Sequence, residues 1–231
     1  MKTIYLLCGL LCDEVIWKAQ LAALHEQGHT DVRIFSFQQD DSIGGMAERV
    51  LQDAPDAFFL AGHSMGGRVA LEVYRRATQR VQRLALLDTG YEAAAPEEEA
   101  RRAVLVERAN AEGIAAIAET WAMPMLAPAH RQDAQLVNAI LAMVARMSPA
   151  IYSRQIKALL NRPDATEVLA AIHCPTLILC GAEDGWSPPE RHARMAALVA
   201  GSSMIEIPAC GHMSTMEQAE AVSRALLTWA S

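Results

Sequence analysis

The chain predicts an α/β protein: about six parallel strands, helices on both faces and an inserted helical segment. Three observations lead there. Short apolar runs such as Thr3–Leu7 (TIYLL) and 175–180 (PTLILC) have the length and continuity of strands buried on both faces. Stretches with helical spacing alternate with such runs, and that alternation implies a parallel sheet. After the fourth strand the alternation stops. Residues 91–172 are rich in Ala, Glu, Arg and Met, and read as four or five helices without strands.

The elements follow in order. Thr3–Leu7 is the first strand, ended by Gly9. Residues 14–27 place Val15, Trp17, Leu21 and Leu24 on one helical stripe, and Gly28 closes it. Residues 31–37 read as a strand and 42–53 as a helix with Ser42 in the N-cap position. A strand at 57–61, a helix from about 66 to 78 and a strand at 83–87 complete the first part. Beyond the helical stretch come a strand at 175–180, a helix at 189–199, the strand Ser203–Ile207 and a helix at 215–229. The expected division is a core of 1–90 and 173–231 and a helical lid of 91–172. A lid inserted there lies over the carboxyl ends of the strands, where open α/β sheets bind ligands.

The totals exclude several classes. A chain of 231 residues suffices for one domain with an insertion and a full core. A net charge of −7 without basic blocks argues against a nucleic-acid partner. No apolar run approaches the ~20 residues of a membrane span. The expected partner is a small-molecule substrate, with the chain a monomer or homodimer. Five cysteines (Cys8, Cys12, Cys174, Cys180 and Cys210) show no short CxxC spacing, which argues against a disulfide framework or a zinc site. They predict free thiols in a reducing, cytoplasmic compartment. The opening KTIYLLCGLLC has one charge, a short apolar run and a cysteine, as an export signal has. But the run is broken by Gly9 and no A-x-A site follows, so it reads as a strand and its loop.

The chemistry is carried by FFLAGHSMGGRVALEV, which contains G-x-S-x-G at Gly62, His63, Ser64, Met65 and Gly66. An apolar strand precedes it and an amphipathic helix follows, as a nucleophile elbow requires. A serine hydroxyl is a weak nucleophile and needs a base, and the base needs an orienting acid. His212, in IPACGHMSTME, lies between the last strand and the last helix, on the edge of the sheet that carries Ser64. His63 reads as structural or pocket-lining; His25, His29, His130, His173 and His192 read as surface or capping residues. For the acid, Asp184 in LILCGAEDGWSPP follows the fifth strand and is fixed by a Pro-punctuated turn; Glu183 and Asp88 are its rivals. The order Ser, Asp, His is that of an α/β-hydrolase.

Across essentially its whole length the chain resembles the α/β-hydrolase superfamily, on GHSMGG, CGAEDGWSPP and ACGHMSTME. The resemblance implies a triad of Ser64, Asp184 and His212 and a helical lid. It also implies an oxyanion loop directly after the first central strand. There LLCGLL puts Cys8 where relatives carry histidine, and leaves the backbone N–H groups of Leu10 or Leu11, with Met65, as donors. Many relatives have two further strands ahead of this one; here the expected spatial order is 2-1-3-4-5-6. The glycine pattern usual after the second strand is lost in FSFQQDDSIGG. Cys8 reads as a buried inert thiol, the alternative being a site where alkylation affects activity.

Ser at 64 excludes dehalogenase and epoxide-hydrolase chemistry, which needs aspartate there. The first expectation is a serine hydrolase, without metal or organic cofactor, that cleaves a small carboxylic ester, lactone or thioester. Trp121, Met123, Met125, Met143 and Met147 suit a flexible acyl pocket or the lid's own core. Arg68, in SMGGR, resembles the elbow arginine of menaquinone-pathway lyases; the resemblance implies that it meets a substrate carboxylate or carbonyl, the alternative being a pair with a surface acid. That resemblance supports a lyase or carbon–carbon hydrolase as the alternative. A non-catalytic ligand-binding protein of the same fold is the third reading.

Overall fold

A computed structural model describes residues 2–231. The strands are β1 (Thr3–Leu7), β2 (Val32–Phe35), β3 (Phe58–His63), β4 (Val81–Leu87), β5 (Thr176–Gly181) and β6 (Ser203–Ile207). They form one sheet in the order β2-β1-β3-β4-β5-β6, and every neighbouring pair is parallel. All residues of β1, β3 and β5 are buried, whereas the edge strands β2 and β6 are partly exposed. Burial on both faces is why the central runs are continuously apolar.

Between the strands lie α1 (Lys18–Glu26), α2 (Ile43–Asp53), α3 (Met65–Arg76) and α9 (Pro189–Leu198), and after β6 come α10 (Ser214–Glu217) and α11 (Ala219–Ala230). Helices α4 (Glu98–Glu112), α5 (Ala115–Ala122), α6 (Ala134–Ala145), α7 (Pro149–Leu160) and α8 (Thr166–Ala170) are inserted between β4 and β5. One layer pairs α1 with α11; the other is a row of α2, α3, α8 and α9. Trp229 fastens α11 to the sheet. Its Nε1 donates to Leu84 O at 3.0 Å, and its ring meets Phe59 edge-on at 5.7 Å. Arg83 donates to the carbonyls of Trp229 and Ser231 at 2.7 Å each, which caps the end of that helix.

Three differences from the sequence reading have a visible physical cause. The first helix opens with a 3-10 turn, Glu14–Trp17, because Asp13 accepts from the Val15 N–H at 3.0 Å and tightens the start. Strand β2 stops at Phe35, since Phe37 turns into the core and its carbonyl accepts from Gln155 at 2.7 Å. The last helix breaks at Gln218 (φ −131°, ψ 51°). The short α10 follows the His212 loop, and α11 lies on the sheet.

A candidate active site at the strand ends

Strand β3 turns into α3 at Ser64, whose backbone is held at φ 55° and ψ −117°. Non-glycine residues adopt that region only when the surroundings enforce it. Here the Ser64 N–H donates to Leu87 O at 2.9 Å, and Ser64 O accepts from Thr89 Oγ1 at 2.7 Å. The turn leaves no room for side chains on either side. A Cβ on Gly62 would lie 2.3 Å from Gly66 O, and one on Gly66 would lie 2.3 Å from Leu7 O.

His212 follows β6. Its Nε2 stands 2.8 Å from Ser64 Oγ and its Nδ1 2.8 Å from Asp184 Oδ2. Its amide donates to Met125 O at 2.7 Å, and its carbonyl faces His63 Nε2 at 2.8 Å, so the loop is held from both sides. The other oxygen of Asp184 accepts from the Trp186 and Ser187 amides at 2.8 Å each. Burial works to raise the Asp184 pKa. The charge and hydrogen bond of His212, with the two amides, outweigh it and hold the carboxyl below its ordinary value. Burial works to lower the His212 pKa, but the Asp184 charge and hydrogen bond raise it above the usual imidazole value. With the proton on Nδ1, toward Asp184, the free Nε2 lone pair faces the serine hydroxyl. This geometry suits proton transfer from Ser64.

Asp88, the rival acid, is fully buried at the end of β4 with φ 48°. It accepts from the Gly181 amide at 3.0 Å and is hydrogen-bonded to Ser214 Oγ. Burial and the Asp184 charge push its pKa well up, so of the two acids Asp184 is the one kept as a carboxylate. His63 is buried and pushed down to about 4 by burial and by His212; with Nε2 donating to a carbonyl, it is neutral and structural. His192 departs from the surface or capping role expected of it. It is fully buried, accepts from the Thr89 amide at 3.0 Å, and so steadies the loop that braces the elbow.

A cavity of 370 Å³ opens over Ser64 and His212. Leu10, Met65, Arg68, Trp121 and Met125 line it. Met143 does not reach it: the side chain is wholly buried among the inserted helices, because helical spacing says which residues share a face but not what that face meets. Met123, in the 3-10 turn Met123–Met125, also lies outside the lining. Nor is Leu11 available as a donor. Its amide is held by Gln155 Oε1 at 2.9 Å. The Leu10 and Met65 amides have no protein acceptor among the described residues. Cys8 is buried beside Asp13 O, and burial pushes its thiol well up, away from the reactive thiolate.

Arg68 has no carboxylate partner within ion-pair distance among the described residues, unlike the expected alternative of pairing with a surface acid; one guanidinium nitrogen donates to Glu92 O at 2.8 Å. Burial and the nearby Arg162 push its pKa down to about 9. Arg162 is satisfied by Glu98 at 2.7 Å, and Arg191 by Glu92 at 3.2 Å. No spacing or motif singles out Trp186 in the sequence, although it stands two residues after Asp184. It is 40% exposed, lines the cavity and lies 6.3 Å from the His212 ring.

Known proteins share this arrangement of elements. The chain matches a thermophilic esterase from Thermogutta terrifontis with a TM-score of 0.87 and 29% identity, covering 100% of this chain and 89% of that one. It matches an enol-lactonase from Burkholderia xenovorans LB400 with a TM-score of 0.87 and 22% identity, covering 100% and 92%. A relative named "Putative carbamate hydrolase RutD", from Klebsiella pneumoniae strain 342, is 28% identical over 221 residues, 88% of this chain and 82% of its own length. The model of the alpha/beta hydrolase family matches residues 20–225. With most of its length matched, the chain belongs to the alpha/beta hydrolase family.

Proposed function

We propose that the protein is a serine hydrolase acting on a small carboxylic ester, lactone or thioester through an acyl-enzyme on Ser64. The observation that carries this is the 2.8 Å approach of His212 Nε2 to Ser64 Oγ, with Asp184 on the opposite ring nitrogen. His212 takes the hydroxyl proton as Ser64 attacks the carbonyl. The Leu10 and Met65 amides receive the oxyanion, each such donor contributing about 2.7–4 kcal/mol to the transition state. The tetrahedral intermediate collapses, and His212 returns the proton to the leaving group. Water activated by His212 then releases the acid. The inserted helices serve as a lid that supplies Trp121 and Met125 to the acyl pocket. The esterase and carbamate-hydrolase names of the relatives fall within the same acyl-transfer chemistry.

One observation favours a narrower substrate. Arg68 lies one helical turn from Ser64, lines the cavity and has no carboxylate of its own. It fits a substrate that carries an acid group, and it keeps the lyase or carbon–carbon hydrolase reading as the alternative. A fluorophosphonate probe and p-nitrophenyl esters from acetate to octanoate test the main reading. Labelling and turnover in wild type but not in Ser64→Ala are expected. Well-folded wild type that neither labels nor turns over defeats it. Labelling without ester turnover moves the assignment to the lyase or carbon–carbon reading.

A further inference from the structure

Five residues beyond His212, the side chain of Glu217 is entirely buried, yet it meets donors from two separate parts of the chain. Gly211 N lies 3.1 Å from each of its oxygens, and Met213 N lies 3.0 Å from one of them. These two amides flank His212. The other donors are Ala127 N at 2.8 Å and His130 Nδ1 at 2.9 Å, both in the inserted segment. That same segment supplies Met125 O, which accepts the His212 amide at 2.7 Å. The approach is tight: a Cβ on Gly211 would lie 2.3 Å from Met125 O and 2.6 Å from Ala127 N.

We propose that Glu217 is a positioning residue for His212, and that it ties the 123–130 segment to the histidine so that the two move as one. The proposal rests on the assignment of His212 as the base of Ser64. A buried carboxyl group that accepts from both neighbours of a residue fixes the loop at two points and so fixes where the ring stands. Misplacing a reacting group by about 1 Å can lose roughly 100-fold in rate. The wall of the cavity that carries Met125 is then part of the same frame, and substrate enters past other parts of the inserted helices.

The test uses Glu217→Gln and His130→Gln. In the first, an NH2 group replaces one acceptor and faces backbone donors; the second alters only the His130 contact, one of the two from the inserted segment, at a residue whose side chain is 21% exposed, and leaves the Ala127 amide in place. The readouts are kcat and KM for p-nitrophenyl acetate, the rate of fluorophosphonate labelling per folded molecule, and the low-field proton signal of the His212 ring. Glu217→Gln is expected to lose about 10–100-fold in kcat and in labelling rate, with KM nearly constant and the low-field signal broadened. His130→Gln is expected to lose a smaller part of both rates. Folded Glu217→Gln with wild-type rates overturns the proposal, as does an effect confined to KM. If Glu217→Gln does not fold, His130→Gln with wild-type rates and an unchanged ring signal overturns it. Wild type that does not label defeats the hydrolase reading instead, and the ring signal still tests the link from Glu217 to His212.

Discussion

The loops at the carboxyl ends of the strands and the inserted helices meet at one cavity but hold their side chains by different means. In the loops each anchor has a backbone group on at least one side. Ser64 is pinned through its amide and carbonyl, Asp184 by two amides, and His212 by a carbonyl on one side and His63 on the other. In the inserted helices the anchors are side chains. Glu98 holds Arg102 and Arg162 at 2.7 Å each, while Trp121 and Met125 are held by packing. Backbone anchors survive most substitutions nearby; side-chain anchors change with every one. On the proposed function, the contrast places the chemistry in the loops and the selectivity in the helices.

The sharpest way to break that division is to remove a loop residue and lose only selectivity. Asp184→Asn preserves shape but favours the wrong imidazole tautomer, and a loss of about 10⁴-fold in kcat is expected. Steady-state kinetics on p-nitrophenyl acetate check it, and a loss below ten-fold would move the orienting role to another acid.

Arg68 stands on α3 but faces the inserted helices, so it tests the boundary between the two regions. Arg68→Met is expected to lower kcat/KM by about 10–100-fold for a half-ester of a dicarboxylic acid, the size of one charge-assisted hydrogen bond. A neutral ester of the same length should lose several-fold less. Equal losses on both esters would make Arg68 a structural residue of the elbow helix.

The same contrast explains what the sequence makes legible. Ser64, Asp184 and His212 each follow a recognisable strand, and a parallel sheet brings the ends of its strands to one edge. Their positions therefore follow from order alone. Glu217 and Trp186 lie inside ACGHMSTME and CGAEDGWSPP, but Trp186 meets the ring of His212 on a separate loop, and the contacts of Glu217 depend on how the inserted segment comes down over the His212 loop. Nothing local encodes that approach. Met123, Met125 and Met143 show the limit most plainly. They share one composition signal, yet only Met125 lines the cavity. Leu10 and Leu11 are equivalent in the sequence, and what separates them is the distant Gln155, which holds the Leu11 amide.

The methionines also give a test of stability against kinetics. Met143→Ala removes a wholly buried side chain from the inserted helices and is expected to destabilise by about 2–5 kcal/mol. Its KM should stay near wild type. Met125→Ala should reverse the pattern: KM shifts across the ester series, with a smaller change in the denaturation midpoint. Should Met143→Ala change the chain-length optimum, the inserted helices would be coupled to the pocket more closely than packing alone provides.

The smallest expected effect concerns the two buried acids beside His212. The histidine must be neutral to accept the serine proton, so kcat/KM rises with pH through the His212 pKa of the free enzyme. Burial opposes the imidazolium, but Asp184 overrides it, and the acid limb should lie above the ordinary imidazole value of about 6.5. The other groups around the ring are Glu217, the neutral His63 and Asp88. Asp88 is pushed up by burial and by the Asp184 charge, so of the two acids it is the one that takes up a proton more readily. With Asp88 protonated over the working range, Asp88→Asn replaces one neutral group by another, keeps an acceptor for Gly181 and a partner for Ser214, and should leave the limb in place with kcat within about ten-fold. An ionised Asp88 would predict the opposite: removing a negative charge near the imidazolium lowers its pKa, and the limb moves to lower pH. A pH profile of kcat/KM for wild type and Asp88→Asn separates the two cases by the direction of the limb alone.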